Sequence, residues 1–239
     1  MNADDFGRST AVNEGIIRAH QQGIVTSTSL MTDREAFDEA VRLAKANPKL
    51  GIGLHLDLDG FFNVQHGVGR LLDYKDPALP MNAIVQETER QLKKVLATGL
   101  PITHVDGHHH SHLRPELFAV VAALTAKYKI PVIRYFRGFY EGLYPGADFS
   151  WIPDLVRRFG LGCTDIFFAG WEAVESSLPG YSYWNPAQPF TTAELMVHPG
   201  VGEAWREREL AHCTSPDVRK TLAAQGITLA SFAGWKPLA

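Results

Sequence analysis

Hydrophobic and polar positions along the chain switch repeatedly between a period of two and a period near 3.6. β-branched or alternating runs predict strands over residues 24–31, 50–58, 101–106, 130–135, 165–168, 195–198 and 227–232. Between them, apolar residues return at helical spacing. Ser9 or Thr10 can cap a helix that runs to about residue 20 and stops near Gly23. Phe37, Ala40, Val41 and Ala44 mark a second helix, and Ile84, Thr88, Leu92 and Val95 a third. Pro115 suits the first turn of a helix through about residue 128, and residues 218–224 read as a last one. Residues 59–80 read as a long loop. Residues 136–190 are rich in Gly, Pro and aromatics and carry little period of either kind.

Repeated β-α units imply an α/β protein with a parallel sheet, open or closed into a barrel. No linker or repeat divides the chain, so residues 1–239 are expected to form a single domain. One irregularity stands out. Such folds begin on a hydrophobic strand, whereas here the polar run Asn2-Ala3-Asp4-Asp5 follows Met1 directly.

Composition narrows the class. With 45% hydrophobic and 21% charged residues the chain is neither disordered nor fibrous. A net charge of −3 gives no footprint for nucleic acid or an anionic membrane. No apolar run reaches the ~18 residues of a transmembrane helix, and no signal peptide is apparent. The two cysteines, Cys163 and Cys213, form no CxxC pair, which suits a reducing compartment; a cytoplasmic location is the expectation. Nothing in the sequence fixes whether the chain forms a homo-oligomer.

The densest chemistry is Thr103-His-Val-Asp-Gly-His-His-His-Ser-His112, with five of the ten histidines. On an unbroken strand, residues 104, 106, 108, 110 and 112 would share one face. Gly107 is expected to end the strand and put His108 onward in the following loop. That is where barrels and open parallel sheets place their sites. The bland alternative is a solvated loop with one structural histidine. Asp4 and Asp5 are the second signal. Adjacent carboxylates on extended backbone point apart, so one can bind a cation while the other handles a proton; a turn cluster is the plain alternative. His55, in Gly53-Leu-His-Leu56, is either a ligand or a hydrogen-bonded core histidine. Asp57 and Asp59 follow it and could orient its ring or simply begin a loop. His198, before Pro199-Gly200, ends another predicted strand and suits a general acid, or is a lone turn histidine. Two His and one carboxylate leave open positions on a divalent metal. A metal-assisted hydrolysis of an amide or ester follows naturally. No GxSxG, Walker A or GxGxxG motif is present. The aromatics Tyr135, Phe136, Phe139, Tyr140, Tyr144, Phe149 and Trp151, and Trp171, Tyr181, Tyr183 and Trp184, mostly read as packing, with one or two rings free to meet a sugar face.

These motifs, Asn2-Ala-Asp-Asp-Phe-Gly7, Gly23-Ile-Val-Thr-Ser-Thr28, Gly53-Leu-His-Leu56, the His-rich string and His198-Pro199, resemble the YdjC-like family of carbohydrate deacetylases. The resemblance implies a distorted (β/α) barrel, TIM-barrel-like, and one divalent metal ion, with magnesium or zinc foremost. It implies removal of an N-acetyl group from an acetamido sugar or oligosaccharide. Carried over, it makes Asp5, His55 and His108 the metal ligands, Asp4 the general base and His198 the general acid. Arg134 falls at a family position near the substrate. Around the pocket the sequence departs from chitooligosaccharide-type members, with Gly107, Ser111 and Asp57-Leu-Asp59 at variance. Two other classes remain open: a PHP-like metal-dependent phosphoesterase, and a non-catalytic sugar-binding protein of the same fold.

Overall fold

The computed structural model describes residues 1–61, 79–136, 140, 146–170 and 191–235. Its centre is the polar segment that looked out of place. Asn2–Phe6 is itself the first strand, β1, and every residue in it is buried. It pairs in parallel with β2 (Ser27–Leu30) on one side and β7 (Ala193–Val197) on the other. A central strand can be this polar because Asn2, Asp4 and Asp5 all find polar partners inside the molecule.

From β2 the sheet continues through β3 (Gly51–Leu56), β4 (Ile102–Gly107) and β5 (Val132–Ile133). On the far side β7 pairs with β6 (Ile166–Ala169). The order is β5-β4-β3-β2-β1-β7-β6, and each pairing is parallel. The two edges come together through one short segment. Gly162 accepts from Ile133 N–H at 3.0 Å and donates to Pro131 C=O at 2.8 Å. Four residues later the chain enters β6 on the opposite edge. The sheet is therefore a distorted (β/α) barrel, closed by a bridge rather than a full strand.

Helices cover the outside. Helix α1 (Thr10–Gln22) starts as expected, with Ser9 Oγ accepting from Val12 N–H at 3.3 Å. It is followed by α2 (Phe37–Ala46), α3 (Met81–Leu96), α4 (Pro115–Lys127), α5 (Trp151–Arg158), α6 (Ala204–Thr214) and α7 (Pro216–Ala224). No described helix is long and apolar enough to cross a membrane.

Three expectations change. No strand forms over 227–232: β2 already has β1 and β3 on its two edges, so only side chains reach that segment. The Thr26 hydroxyl donates to Ala230 C=O at 2.7 Å, and Ser27 Oγ accepts from Phe232 N–H at 3.3 Å. Helices α5 and α6 have no counterpart in the predicted pattern. In α5, Ile152 and Val156 face inward, and Pro153 is tolerated because it lies in the first turn. In α6 the buried stripe is Arg206, Leu210 and Cys213, so an arginine occupies a position where an apolar residue would signal a helix.

Candidate metal and catalytic site

The site lies where β1, β3 and β4 end together, joined by the end of β7 and the start of α6. Each strand contributes through a local irregularity. In β1, Asp5 takes a φ of 74°, in the left-handed region. The β1–β2 register slips between Ala3 and Phe6 at the same place. Aspartate tolerates this conformation better than most residues, and such strain is found where function holds it. In β4 the strand runs through Gly107 and passes into a 3-10 turn, His108–Leu113. His109 and His110 also have positive φ, at 50° and 56°. The strand ends at Gly107 as expected and His108 onward lies in the following turn, so the five histidines do not share a face.

Three of them serve other ends. His104 is buried below the site, its ring 4.4 Å from that of Phe232. His112 meets the Arg134 carbonyl through Nε2 at 3.1 Å. Burial pushes both down to about 4, so they are neutral structural groups. His109 Nδ1 lies 2.6 Å from Asp59 at the rim.

Asp5, His55 and His108 converge. Asp5 Oδ1 stands 3.5 Å from His55 Nε2 and 3.2 Å from His108 Nδ1, and the two nitrogens are 3.3 Å apart. Metal bonds near 2.1 Å give ligand spacings of roughly 3.0–3.4 Å at octahedral or tetrahedral angles. Asp5 Oδ1 is buried and accepts no hydrogen bond. A carboxylate oxygen left this way between two imidazole nitrogens fits a cation and is costly without one. Burial would raise the Asp5 pKa, but the neighbouring His108 and His55 imidazoles outweigh it and hold the carboxyl well below its ordinary range.

His55 is oriented from behind. Its Nδ1 lies 2.7 Å from Asp106 Oδ1 and 3.2 Å from Ser29 Oγ, leaving Nε2 toward the triangle. This carboxylate–imidazole arrangement fixes the tautomer of a ligand histidine. Asp57 and Asp59 do not supply it. Asp57 accepts from Arg34 and from the Gly60 amide, and Asp59 meets His109.

Asp4 lies beside the triangle, its Oδ2 3.9 Å from His55 Nδ1. The Arg134 guanidinium grips both its oxygens, at 2.7 and 2.8 Å. Burial would raise the Asp4 pKa, but Arg134 outweighs it and holds the group ionised. Arg134 is itself buried, with Nη2 2.9 Å from Asp106 Oδ2 and 2.6 Å from Glu194 Oε1. Its guanidinium is thus held by three carboxylates.

His198 is half-buried at the end of β7. Glu209 of α6 accepts from the His198 backbone N–H, and its Oε2 lies 3.8 Å from the ring Nδ1. Burial alone would lower the His198 pKa; Glu209, Asp4 and Asp5 together raise it above its ordinary value. The same helix sends Arg206 to Asp5, Nη2 to Oδ2 at 2.6 Å. A cleft of about 550 Å³ opens over His108, with Arg8, Arg34, His109 and Glu203 on its walls. That volume suits a small ligand. Sequence reading missed Asp106, Glu194, Arg206 and Glu209 as members of the site. The signal for Arg206 is the one noted above, a basic residue in the inward stripe of a helix.

Among the described aromatics, packing dominates. Phe136 stacks on Phe167 at 4.2 Å, and the Tyr140 ring lies 4.6 Å from Phe149. Phe139, Tyr144, Trp171, Tyr181, Tyr183 and Trp184 lie outside the described residues.

Comparison with known proteins gives a consistent picture. A family model described as YdjC-like protein matches residues 1–224. A protein of Vibrio campbellii named carbohydrate deacetylase is 31% identical, over 97% of this chain and 94% of its own. One of the same name from Geobacillus stearothermophilus is 32% identical, over 97% and 95%. A third, from Brevibacillus brevis, reaches 41% over 55% of this chain and 57% of its own. Among solved structures, one from Enterococcus faecalis named for cellobiose-phosphate cleavage superposes with a TM-score of 0.68 at 22% identity, covering 98% of this chain and 97% of that one. The lactam utilization protein of Thermus thermophilus gives 0.56 at 20%, covering 96% and 97%. Both show likeness of fold.

Proposed function

Because the chain belongs to the YdjC-like protein family, we propose that it is a metal-dependent hydrolase that removes the N-acetyl group from an acetamido sugar, releasing acetate. The observation that carries this reading is the triangle of Asp5 Oδ1, His55 Nε2 and His108 Nδ1, with Asp4 beside it. The relatives named carbohydrate deacetylase support the substrate class.

Asp5, His55 and His108 would hold a divalent ion, magnesium or zinc foremost. Such an ion would polarise the acyl oxygen and acidify water. Asp4, kept ionised by Arg134, takes a proton from the attacking water. A carboxylate held this low is a weak base, so it suits a water that is already acidified. The water oxygen bonds to the acetyl carbon. His198, kept protonated by Glu209, then gives its proton to the sugar nitrogen as the C–N bond breaks. The amine leaves neutral and acetate remains. Arg134 enters as a positioning residue for Asp4, and the family resemblance also implies a place near the substrate.

A second reading has one specific observation in its favour. Asp59, His108 and His109 form another group that could hold a cation, sharing His108 with the first. Two adjoining ions are what a phosphoesterase would use. The test is acetate release from N-acetylglucosamine, short chitooligomers and nucleotide- or lipid-linked acetamido sugars, beside phosphate release from simple esters. Each is measured before and after chelation and metal add-back. Acetate release that stops with chelator and returns with metal is expected. Phosphate release without acetate would move the assignment to the phosphoesterase. Sugar binding with neither product would make the chain a binding protein.

A further inference from the structure

We infer that Arg206 is a positioning residue that restricts Asp5 to binding its ion through one oxygen. The inference rests on the metal reading above. The two oxygens of Asp5 have opposite environments. Oδ2 receives Arg206 Nη2 at 2.6 Å, while Oδ1 accepts no hydrogen bond and faces His55 and His108. Arg206 is itself immobilised. It is 1% exposed, its Nη1 donates to the His198 carbonyl at 3.4 Å, and its Nε lies 3.4 Å from Glu203 Oε1. The indole of Trp205 covers its guanidinium at 4.3 Å, and the Trp205 Nε1–H is tied to Glu203 at 3.0 Å. Arg8 also approaches Oδ2, but only at 3.5 Å and from a side chain 43% exposed.

A carboxylate free at both oxygens can chelate an ion and use two of its coordination positions. With Oδ2 committed to a buried cation, Asp5 uses one. The position saved is one that water or the acyl oxygen needs, since hydrolysis requires an open site. A positive charge beside a divalent ion is unfavourable by itself, so its retention in a buried place calls for a role. Orienting Asp5 supplies one, as partners of metal ligands commonly do. The arrangement also joins two parts of the reaction on one helix, because α6 carries both Arg206 and the Glu209 that holds His198.

The experiment is X-ray absorption on the cobalt-loaded protein, with kcat measured alongside. In the wild type the Asp5 carboxyl carbon is expected at the longer distance of a one-oxygen ligand. In Arg206→Met the freed Oδ2 turns to the ion, the carbon shell moves inward, and kcat falls about tenfold or more. Arg206→Lys, which keeps a cationic donor, stays near the wild type in its spectrum. An unchanged spectrum in folded Arg206→Met overturns the inference. So does a two-oxygen carboxylate in the wild type, which decides the question even if the methionine variant does not fold. Wild-type protein that takes up no cobalt overturns the metal reading together with this one.

Discussion

His55 Nδ1 lies 2.7 Å from Asp106 Oδ1, so the histidine presents Nε2, and only Nε2, to Asp5 and His108. Asp106 is fully buried on β4, one strand over from His55, and the register places the two residues side by side. Burial would raise its pKa, but Arg134 and His55 outweigh that and keep it ionised. Replacing Asp106 by Asn removes the charge and lets the imidazole choose either tautomer. Metal affinity should fall about 10- to 100-fold, read by competition with a chelator. Unchanged affinity would mean that Asp106 serves packing alone.

The proposed mechanism gives the neighbours Asp4 and Asp5 separable duties. Asp4→Asn should keep bound metal and lose about 10²–10⁴ in kcat. Asp5→Ala should lose both. Metal content and acetate release on the same samples distinguish the two. Turnover retained in Asp4→Asn removes Asp4 from the role of base.

The acid step has a pH signature. In the proposed mechanism His198 must be protonated to donate, and its pKa is raised above the ordinary histidine value, with Glu209 the largest upward cause. Activity should therefore persist above pH ~6.5 and fall as pH rises through the elevated value. Glu209→Gln lowers the His198 pKa, so the alkaline limb of kcat should move to lower pH. A limb that stays in place would assign it to another group.

Gly53 predicts a stability effect close to the site. A Cβ there would lie 2.4 Å from the His104 ring, far inside contact distance. Gly53→Ala should cost about 1–3 kcal/mol, seen as a lower urea midpoint, and should weaken metal binding through His55 two residues on. A midpoint equal to the wild type would show that the His104 ring has room to turn aside.

What the sequence discloses, and what it hides, follows from distance along the chain. His55 and His108 are legible because each lies near the end of a predicted strand, where a parallel sheet gathers its site, whereas Asp5 joins them through its adjacent carboxylate and the family motif. Asp4 is legible through Asp5. Their supports are not. Arg134 reaches Asp4 across 130 residues, and Arg206 reaches Asp5 across 201. No local pattern encodes such partners. The family resemblance implies that Arg134 lies near the substrate, and no local pattern shows that three carboxylates on other strands bind it. The polar strand β1 misleads for a related reason. Hydrophobic patterning assumes that buried means apolar, and here the site occupies the middle of the sheet.

The pairing of β1 with β7 sets the order in which the molecule can be completed. Asn2 lies beside Met196 and Ala3 beside Val197, so residues far apart in sequence share a ladder. While the chain is being made, Asp5, His55 and His108 are all present well before residues 198–206. The arginine that holds Asp5, and the histidine whose carbonyl that arginine meets, arrive only with residues 198–206. Until then a sheet edge along β1 and a partly assembled cluster of acidic and imidazole groups stand open. Contacts this remote in sequence slow folding and expose such edges to association. A nascent chain of this protein thus carries its candidate ligands long before it can hold them in place.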